Sequence, residues 1–178
     1  ARVAAPLVDD LLRGVNSTVF AYGQTGAGKT YSVIGGETFG ERGLIPRALA
    51  HVFRETARRA AAAPRGARWS VEVSFAEVYQ ERVYDLLDAA NRSKPLEEWA
   101  EVQLLEDGYG DVHPRNLSVF EAKTEEEALS LFFVGNLARI TAQTPMNDAS
   151  SRSHCVFSIA VVSHEPPPPP GAAAAPAP

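Results

Sequence analysis

Apolar residues recur along this chain with two different periods. Over residues 3–12 they return every three or four positions, which predicts an amphipathic helix that ends at Gly14. Over residues 69–78 they alternate with serine and glutamate, which predicts a strand. Two short apolar runs, residues 18–22 and 156–162, predict further strands. The pattern therefore predicts a chain with both helices and strands.

Two longer helices are predicted by their first turns. One begins near Pro46, because the first helical turn tolerates proline, and the alanines at 60–63 prolong it. The other opens at Thr124, which forms a capping box with Glu127 three residues later. The apolar residues of this last helix are expected to form its buried face, namely Leu129, Phe132, Phe133 and Leu137.

Composition narrows the class of protein. With 178 residues, 45% of them hydrophobic and 22% charged, the chain suits a globular domain with its own core. A net charge of −5 argues against a nucleic-acid surface, and no apolar run approaches the roughly 18 residues that span a bilayer. The single cysteine, Cys155, indicates a reducing compartment. The chain opens without methionine directly in a helical pattern, so we expect a fragment, and residues 166–178 are expected to be disordered.

A phosphate-binding pattern follows the first predicted strand. Residues 23–30 read GQTGAGKT, which fits G-x-x-x-x-G-K-[ST] between a strand and a helix. Glycines let the backbone turn its N–H groups towards phosphate oxygens. Lys29 would reach the β- and γ-phosphates, and the Thr30 hydroxyl would bind Mg²⁺. A glycine-rich turn that matches by chance is the alternative, which the flanking strand and helix disfavour.

Two polar clusters have both a functional and an ordinary interpretation. Residues 147–154 read NDASSRSH, a set of hydroxyl, amide and guanidinium groups suited to anionic oxygens or magnesium-bound water; the alternative is a serine-rich loop. Four arginines lie close together in sequence, and a solvated helix end is favoured over a binding patch for an acidic partner. These arginines are Arg58, Arg59, Arg65 and Arg68.

Together these segments resemble a kinesin motor domain. Residues 16–30 (NSTVFAYGQTGAGKT) are similar to the first nucleotide motif of kinesins, and residues 147–154 match the switch I pattern N-x-x-S-S-R-S-H. Two more kinesin-like stretches lie between them in the family's order, at 43–47 (GLIPR) and at 73–79 (VSFAEVY) leading to DLL at 85–87.

The resemblance covers about residues 3–165. The segment 144–159, with Arg139 ahead of it, is most similar to kinesin family nine, which is associated with motile cilia and flagella. The resemblance implies an α/β fold, a P-loop NTPase-type three-layer sandwich with a mixed central sheet, present here in part. Residues 1–165 would be a partial kinesin motor domain, and 166–178 a separate tail.

The resemblance also implies which residues bind ATP or ADP. Backbone groups of the loop would hold the phosphates, and the residue after the loop would pack against adenine. The implied nucleotide-binding residues are Gly23, Gln24, Thr25, Gly26, Ala27, Gly28, Lys29, Thr30 and Tyr31. Thr30 and Ser151 would hold Mg²⁺.

The catalytic residues that the resemblance implies all come from residues 147–154. Asn147 and Ser150 would lie against the γ-phosphate and the attacking water. Ser151 would contact the metal, and Arg152 would pair with a switch II glutamate when the site closes. Closure of switch I around γ-phosphate and Mg²⁺ would couple hydrolysis to movement.

Several parts of a kinesin motor are missing from this sequence. It contains neither the R-x-R-P segment that holds the other face of adenine nor the D-x-x-G-x-E motif of switch II. In kinesins the strand at 18–22 lies between two strands that come later, so its N–H and C=O groups would lack ladder partners here. The loop at 108–116 departs from the family in Pro114 and Asn116. We therefore expect the chain alone to be marginally folded and inactive as an ATPase.

The implied function is that of a microtubule-stimulated ATPase in the full-length protein. Its partners would be microtubules (tubulin) and ATP or ADP, with no nucleic acid or membrane, and it would dimerise through a coiled coil outside this sequence. It would act on the cytoplasmic cytoskeleton or in a cilium. The alternative is a non-catalytic scaffold or nucleotide-responsive microtubule-binding protein descended from a motor. A D-x-x-G-x-E motif in the downstream genomic sequence would favour the motor, whereas a true stop would favour the scaffold. A nucleotide kinase would need lid arginines and a second nucleotide site, which we do not find.

Overall fold

A computed structural model describes residues 4–36, 38–63, 67–92, 94–142 and 153–164. Its helices are α1 (Ala4–Leu11), α2 (Lys29–Val33), α3 (Leu44–Ala62) and α4 (Glu125–Ala142). Its strands are β1 (Arg68–Tyr79), β2 (Arg82–Asp85), β3 (Gln103–Glu106), β4 (Val112–Arg115), β5 (Phe120–Ala122) and β6 (Ser153–His164). The predicted helices and the strands at 69–78 and 156–162 are therefore confirmed.

Strand β1 is the centre of a four-stranded sheet. Strand β6 pairs with it along its whole length, from Arg68 opposite His164 to Tyr79 opposite Ser153. The other edge of β1 is shared by β2 and β5. All pairings among the described strands are antiparallel, so the described part of the predicted mixed sheet is its antiparallel part.

The core lies between one face of this sheet and three helices. Phe75 of β1 stacks on Phe132 of α4 with ring centroids 5.5 Å apart, and meets Phe157 of β6 edge-on at 5.3 Å. Helix α3 contributes the fully buried Leu49 and Val52, and α1 packs beside it. The described residues thus form a helical layer on a sheet, two of the three layers expected.

The buried face of α4 differs from the prediction. Phe132 is 1% exposed, but Phe133 is 53% exposed and Leu137 also faces outwards. The face that meets the core instead contains small residues, among them Gly135, where a methyl group would collide with the ring of Phe75. Periodicity selects large apolar residues, whereas close helix–sheet packing here depends on a residue without a side chain.

The strand predicted at 18–22 does not form. No described strand pairs with this segment, and Phe20 and Tyr22 are 82% and 94% exposed. The physical reason is the one anticipated from the sequence: backbone N–H and C=O groups make a strand only when a neighbouring strand pairs with them. Local apolar character alone does not order the segment.

The start of α4 confirms the predicted cap with one change. The Thr124 hydroxyl accepts a hydrogen bond from the Glu127 N–H at 3.2 Å. The Glu127 carboxylate accepts in return from the N–H of Lys123 at 2.7 Å, one residue earlier than a capping box requires.

Strands β3 and β4 form a separate hairpin. Pro114 lies within β4, opposite Leu104, although the sequence suggested a break there. A two-stranded hairpin has free edges, where proline is tolerated because its missing N–H is not needed. His113, predicted to lie in a loop, also belongs to β4, and Asn116 after the strand adopts a left-handed conformation with φ 67°.

Candidate functional site

The loop at 23–30 has a backbone that depends on glycine. Gly26 and Gly28 have φ values of 82° and 84°, in the left-handed region that glycine adopts most readily. Gly28 is the residue from which α2 starts. The N–H groups of Gly26, Gly28, Lys29 and Thr30 donate to no group in the described part of the chain. The loop therefore presents several unused donors close together, as a phosphate-binding turn does.

Lys29 lies over this same loop. Its ammonium donates hydrogen bonds to the carbonyl oxygens of Gly23 at 2.7 Å and Gln24 at 2.8 Å. The Thr30 side chain is exposed beside the unused amides, and Tyr31 is exposed next to it. These donors fit phosphate oxygens, and the Thr30 hydroxyl is an oxygen ligand of the kind that Mg²⁺ prefers.

The end of α2 is held against the start of α3. The Gly43 N–H donates to Ile34 O at 3.0 Å, and the Gly36 N–H donates to Glu41 O at 3.0 Å. A methyl group on Gly35 or Gly43 would overlap neighbouring backbone atoms, so the two segments approach as closely as glycine allows. Ile34 also packs on the core cluster of Phe75 and Phe132. The loop consequently stands on a rigid base.

An ion pair joins this base to α4. Arg42 Nη1 lies 3.0 Å from Glu125 Oε1, both side chains being about a quarter to a third exposed, and the Arg42 guanidinium lies 4.3 Å from the centre of the Phe39 ring. In the sequence, Arg42 precedes the helix predicted near Pro46, and Glu125 lies within the predicted capping box that opens α4. Neither assignment contained a signal for a contact between residues 83 positions apart.

A second missed feature is a buried carboxylate. Glu77 continues the register of Val71, Val73 and Phe75, which places it on the core face of β1, where it is 3% exposed. It accepts a hydrogen bond from Arg139 Nε at 3.1 Å, and Arg139 Nη2 donates to Ser153 Oγ at 3.1 Å. The sequence did carry a signal for this buried carboxylate, because Glu77 occupies a position on the face of β1 that otherwise holds apolar residues.

The predicted site residues are described only in part. The nucleotide-binding set from Gly23 to Tyr31 forms one continuous loop and helix start. Asn147, Ser150, Ser151 and Arg152 lie outside the described residues, so their position beside the loop stays a prediction.

Two of the four arginines in the predicted basic cluster contact other groups of the protein. Arg58 lies 2.8 Å from Glu55, and Arg59 donates to the carbonyl of Leu12 at the end of α1. Arg65 is outside the described ranges. These contacts agree with a helix end that packs and is solvated, the interpretation favoured from the sequence.

The described ranges offer neither a metal-binding cluster nor a membrane-spanning helix. They contain no group of three or more His, Cys, Asp and Glu side chains arranged to hold a metal. None of their helices has the length and apolar character needed to cross a membrane.

Comparison with known proteins gives the family. The sequence profile of the kinesin motor domain matches residues 1–169. Residues 1–169 are most of this chain, which therefore belongs to the kinesin motor domain family. The kinesin resemblance and the α/β fold of the P-loop NTPase type, both predicted from the sequence, are confirmed by this match and by the solved structure below.

Individual relatives agree with this assignment. Kinesin-like protein KLP1 of Chlamydomonas reinhardtii is 46% identical over 161 residues, which cover 89% of this chain and 19% of that protein. Human kinesin-like protein KIF9 is 41% identical over 163 residues, covering 91% of this chain and 20% of KIF9. The solved structure of a fast kinesin superimposes with a TM-score of 0.74 at 35% identity, over 89% of this chain and 42% of the other. The chain thus spans about a fifth of the length of these two curated relatives.

Proposed function

We propose that this chain is the ATP-binding part of a kinesin-like microtubule motor. Residues 1–165 form part of the motor domain, and residues 166–178 form a separate tail. The observation that carries the proposal is the loop at 23–30, with its unused amides and Lys29, built on a base shared with the core. The structure of the fast kinesin similar to this chain was solved with regard to its ATPase mechanism and its interactions with microtubules, which supports the same function here.

The loop residues have separate roles towards the nucleotide. The amides of Gly26, Gly28, Lys29 and Thr30 donate to the phosphate oxygens. Lys29 leaves the carbonyls of Gly23 and Gln24 to contact the β- and γ-phosphates. Tyr31 packs against adenine. Thr30 and Ser151 hold Mg²⁺, which when bound neutralises charge developing on the phosphate oxygens.

The remaining roles fall to residues 147–152. Asn147 and Ser150 orient the attacking water against the γ-phosphate. Arg152 pairs with a glutamate of a switch II segment. Catalysis in such a site is positioning together with charge stabilisation, so these residues act only when they close on the loop.

The packing of the core supports the meeting of these two segments. Ile34, at the end of α2, packs on the same buried cluster as Phe157 of β6 and Ala138 of α4. Helix α2 has five residues and is therefore about 7.5 Å long, so the loop at its start lies near this cluster. In sequence, Ala138 lies before residues 147–152 and Phe157 lies after them. Because both residues pack on the cluster that Ile34 contacts, the chain on either side of residues 147–152 lies near the base of the 23–30 loop.

The whole protein would hydrolyse ATP to move along microtubules of the cytoskeleton, including those of a cilium. This chain alone would be inactive, because the segment leading into the loop has no ladder partner among the described residues and Arg152 has no switch II glutamate in this sequence. Microtubule-stimulated turnover by this chain at the rate of a whole kinesin motor would contradict its inactivity.

A binding measurement tests the nucleotide site. We expect the chain to bind a fluorescent ADP analogue in the presence of Mg²⁺, and Lys29→Ala to weaken this binding. A charge-assisted hydrogen bond contributes about 1.5–3 kcal/mol, so the affinity should fall roughly tenfold to a hundredfold. Lys94→Ala is the matched control, because Lys94 is an exposed lysine far from the loop in sequence. Equal affinities for the two variants, or no binding by the unmodified chain, would reject the proposal.

A further inference from the structure

Helix α2, which starts in the proposed phosphate-binding loop, has little packing of its own. None of its five residues, Lys29–Val33, is buried. The chain just after it supplies the anchorage, because Ile34 packs against the core and Gly35 pairs antiparallel with Arg42. A helix this short is marginal without tertiary contacts. The position of α2, and of the loop before it, therefore depends on what holds this pairing in place.

Arg42 connects the pairing to two further helices. Its carbonyl oxygen accepts a hydrogen bond from Arg47 Nε of α3 at 2.6 Å, and its guanidinium donates to the Glu125 carboxylate of α4 at 3.0 Å. The centre of the Phe39 ring lies 4.3 Å from the same guanidinium. The end of α2, the first turns of α3 and the start of α4 are thus joined at one residue.

The contact between Arg42 and Glu125 is favoured by charge. Glu125 lies in the first turn of α4, where the helix dipole stabilises a carboxylate, and Arg42 adds a second positive group beside it. The two side chains are 32% and 26% exposed, and an ion pair of this kind adds little to the stability of a whole domain. What it fixes is the local position of a segment with few other contacts, and α2 is such a segment.

We propose that Arg42 and Glu125 are positioning residues, which hold the end of α2 against α4 and thereby keep the 23–30 loop in the geometry that receives phosphate. This inference rests on the proposed function. Neither residue is assigned a contact with the nucleotide. The ion pair acts through the pairing of Gly35 with Arg42, which lies two residues beyond the last residue of α2.

Amide hydrogen exchange of the nucleotide-free 178-residue chain tests whether the ion pair holds α2. The N–H groups of Ile34 and Gly36 donate within this region, so they report on its stability. In Arg42→Ala and in Glu125→Gln, exchange in peptides covering 28–36 should become roughly fivefold faster, the fold-change for losing one partly exposed ion pair. The double variant should exchange no faster than Arg42→Ala alone, because both substitutions remove the same contact.

Binding of a fluorescent ADP analogue with Mg²⁺ tests the role towards the nucleotide. A loop that is held only part of the time binds in proportion to its competent fraction, so both single variants should bind roughly fivefold more weakly. The midpoint of urea denaturation should hardly change, because a partly exposed pair contributes little to global stability. A purely structural role would move the exchange rates without moving the affinity.

The controls make each outcome decisive. Arg58→Ala removes the 2.8 Å ion pair of Arg58 with Glu55 within α3 and should change neither measurement. Glu125→Gln keeps the size of the side chain and removes its charge, so it carries the test if Arg42→Ala does not fold. Unchanged exchange, or faster exchange with unchanged affinity, would overturn the positioning role alone. Absence of ADP binding by the unmodified chain would instead reject the proposed function and, with it, the role of this pair towards the nucleotide.

Discussion

Two stretches of this chain, β1 and residues 18–22, were both predicted to be strands but have different structures. In β1, Val71, Val73 and Phe75 are buried between helices and sheet, and β6 pairs with the strand along twelve residues. In the segment 18–22, Phe20 and Tyr22 are exposed and no described strand lies alongside. Both stretches have the composition of strands. The difference shows that a partner distant in sequence, and not local pattern, decides whether such a stretch joins a sheet.

The same substitution, phenylalanine to alanine, should change the free energy of unfolding very differently in the packed core and in the 18–22 segment. Phe132→Ala removes a fully buried ring that packs on Phe75 and Phe157, and should lower the free energy of unfolding by about 3–5 kcal/mol. Phe20→Ala removes an exposed ring and should change it by less than about 0.5 kcal/mol. Urea denaturation followed by circular dichroism measures both values. Similar losses for the two variants would mean that the 18–22 segment is packed after all.

A smaller effect is expected where the packed region is tightest. Gly135→Ala places a methyl group against the Phe75 ring, at a typical overpacking penalty of about 1–3 kcal/mol. Alanine is favoured over glycine inside a helix by about 1 kcal/mol, which offsets part of this penalty. The net result should be a loss of up to about 2 kcal/mol, measured by the same denaturation. Gly40→Ala is the control, since a methyl group there meets no atom within 4 Å and should leave stability nearly unchanged. A stabilised Gly135→Ala protein would show that the helix–sheet contact is looser than described.

The same distinction explains what could be predicted from the sequence. Helical periodicity located α1, and first-turn residues located α3 and α4. The spacing of glycines and Lys29 located the phosphate loop. All of these signals are local. The exposed segment 18–22 and the ion pair of Arg42 with Glu125 could not be found this way, since both depend on neighbours far along the chain. Glu77 is an intermediate case. The alternation of β1 predicts that its side chain lies on the core face, but nothing in the sequence predicts that Arg139 is its partner.

The hairpin of β3 and β4 sharpens the comparison, because it contains exposed apolar residues and still forms strands. Tyr109 at its turn is 96% exposed, so burial does not explain the hairpin. Its two strands are instead close in sequence, and Asp107 fixes the turn by accepting from the N–H groups of Tyr109 at 2.8 Å and Asp111 at 3.0 Å. A pairing strand that is close in sequence is therefore enough to form this hairpin, whereas the apolar run at 18–22, which has no pairing strand among the described residues, does not form a strand.

This turn gives the smallest predicted effect, a dependence on pH. The hydrogen bond from His113, followed by those from the Tyr109 and Asp111 amides, lowers the pKa of Asp107 below its ordinary value of about 3.9. Because the folded hairpin favours the ionised carboxylate, its contribution is fully present above that ordinary value and is lost as the pH falls through the lowered pKa. The amide chemical shift of Tyr109 in NMR spectra should therefore change below about pH 4. In Asp107→Asn this acid transition should disappear, and a transition of unchanged size would show that another group controls the turn.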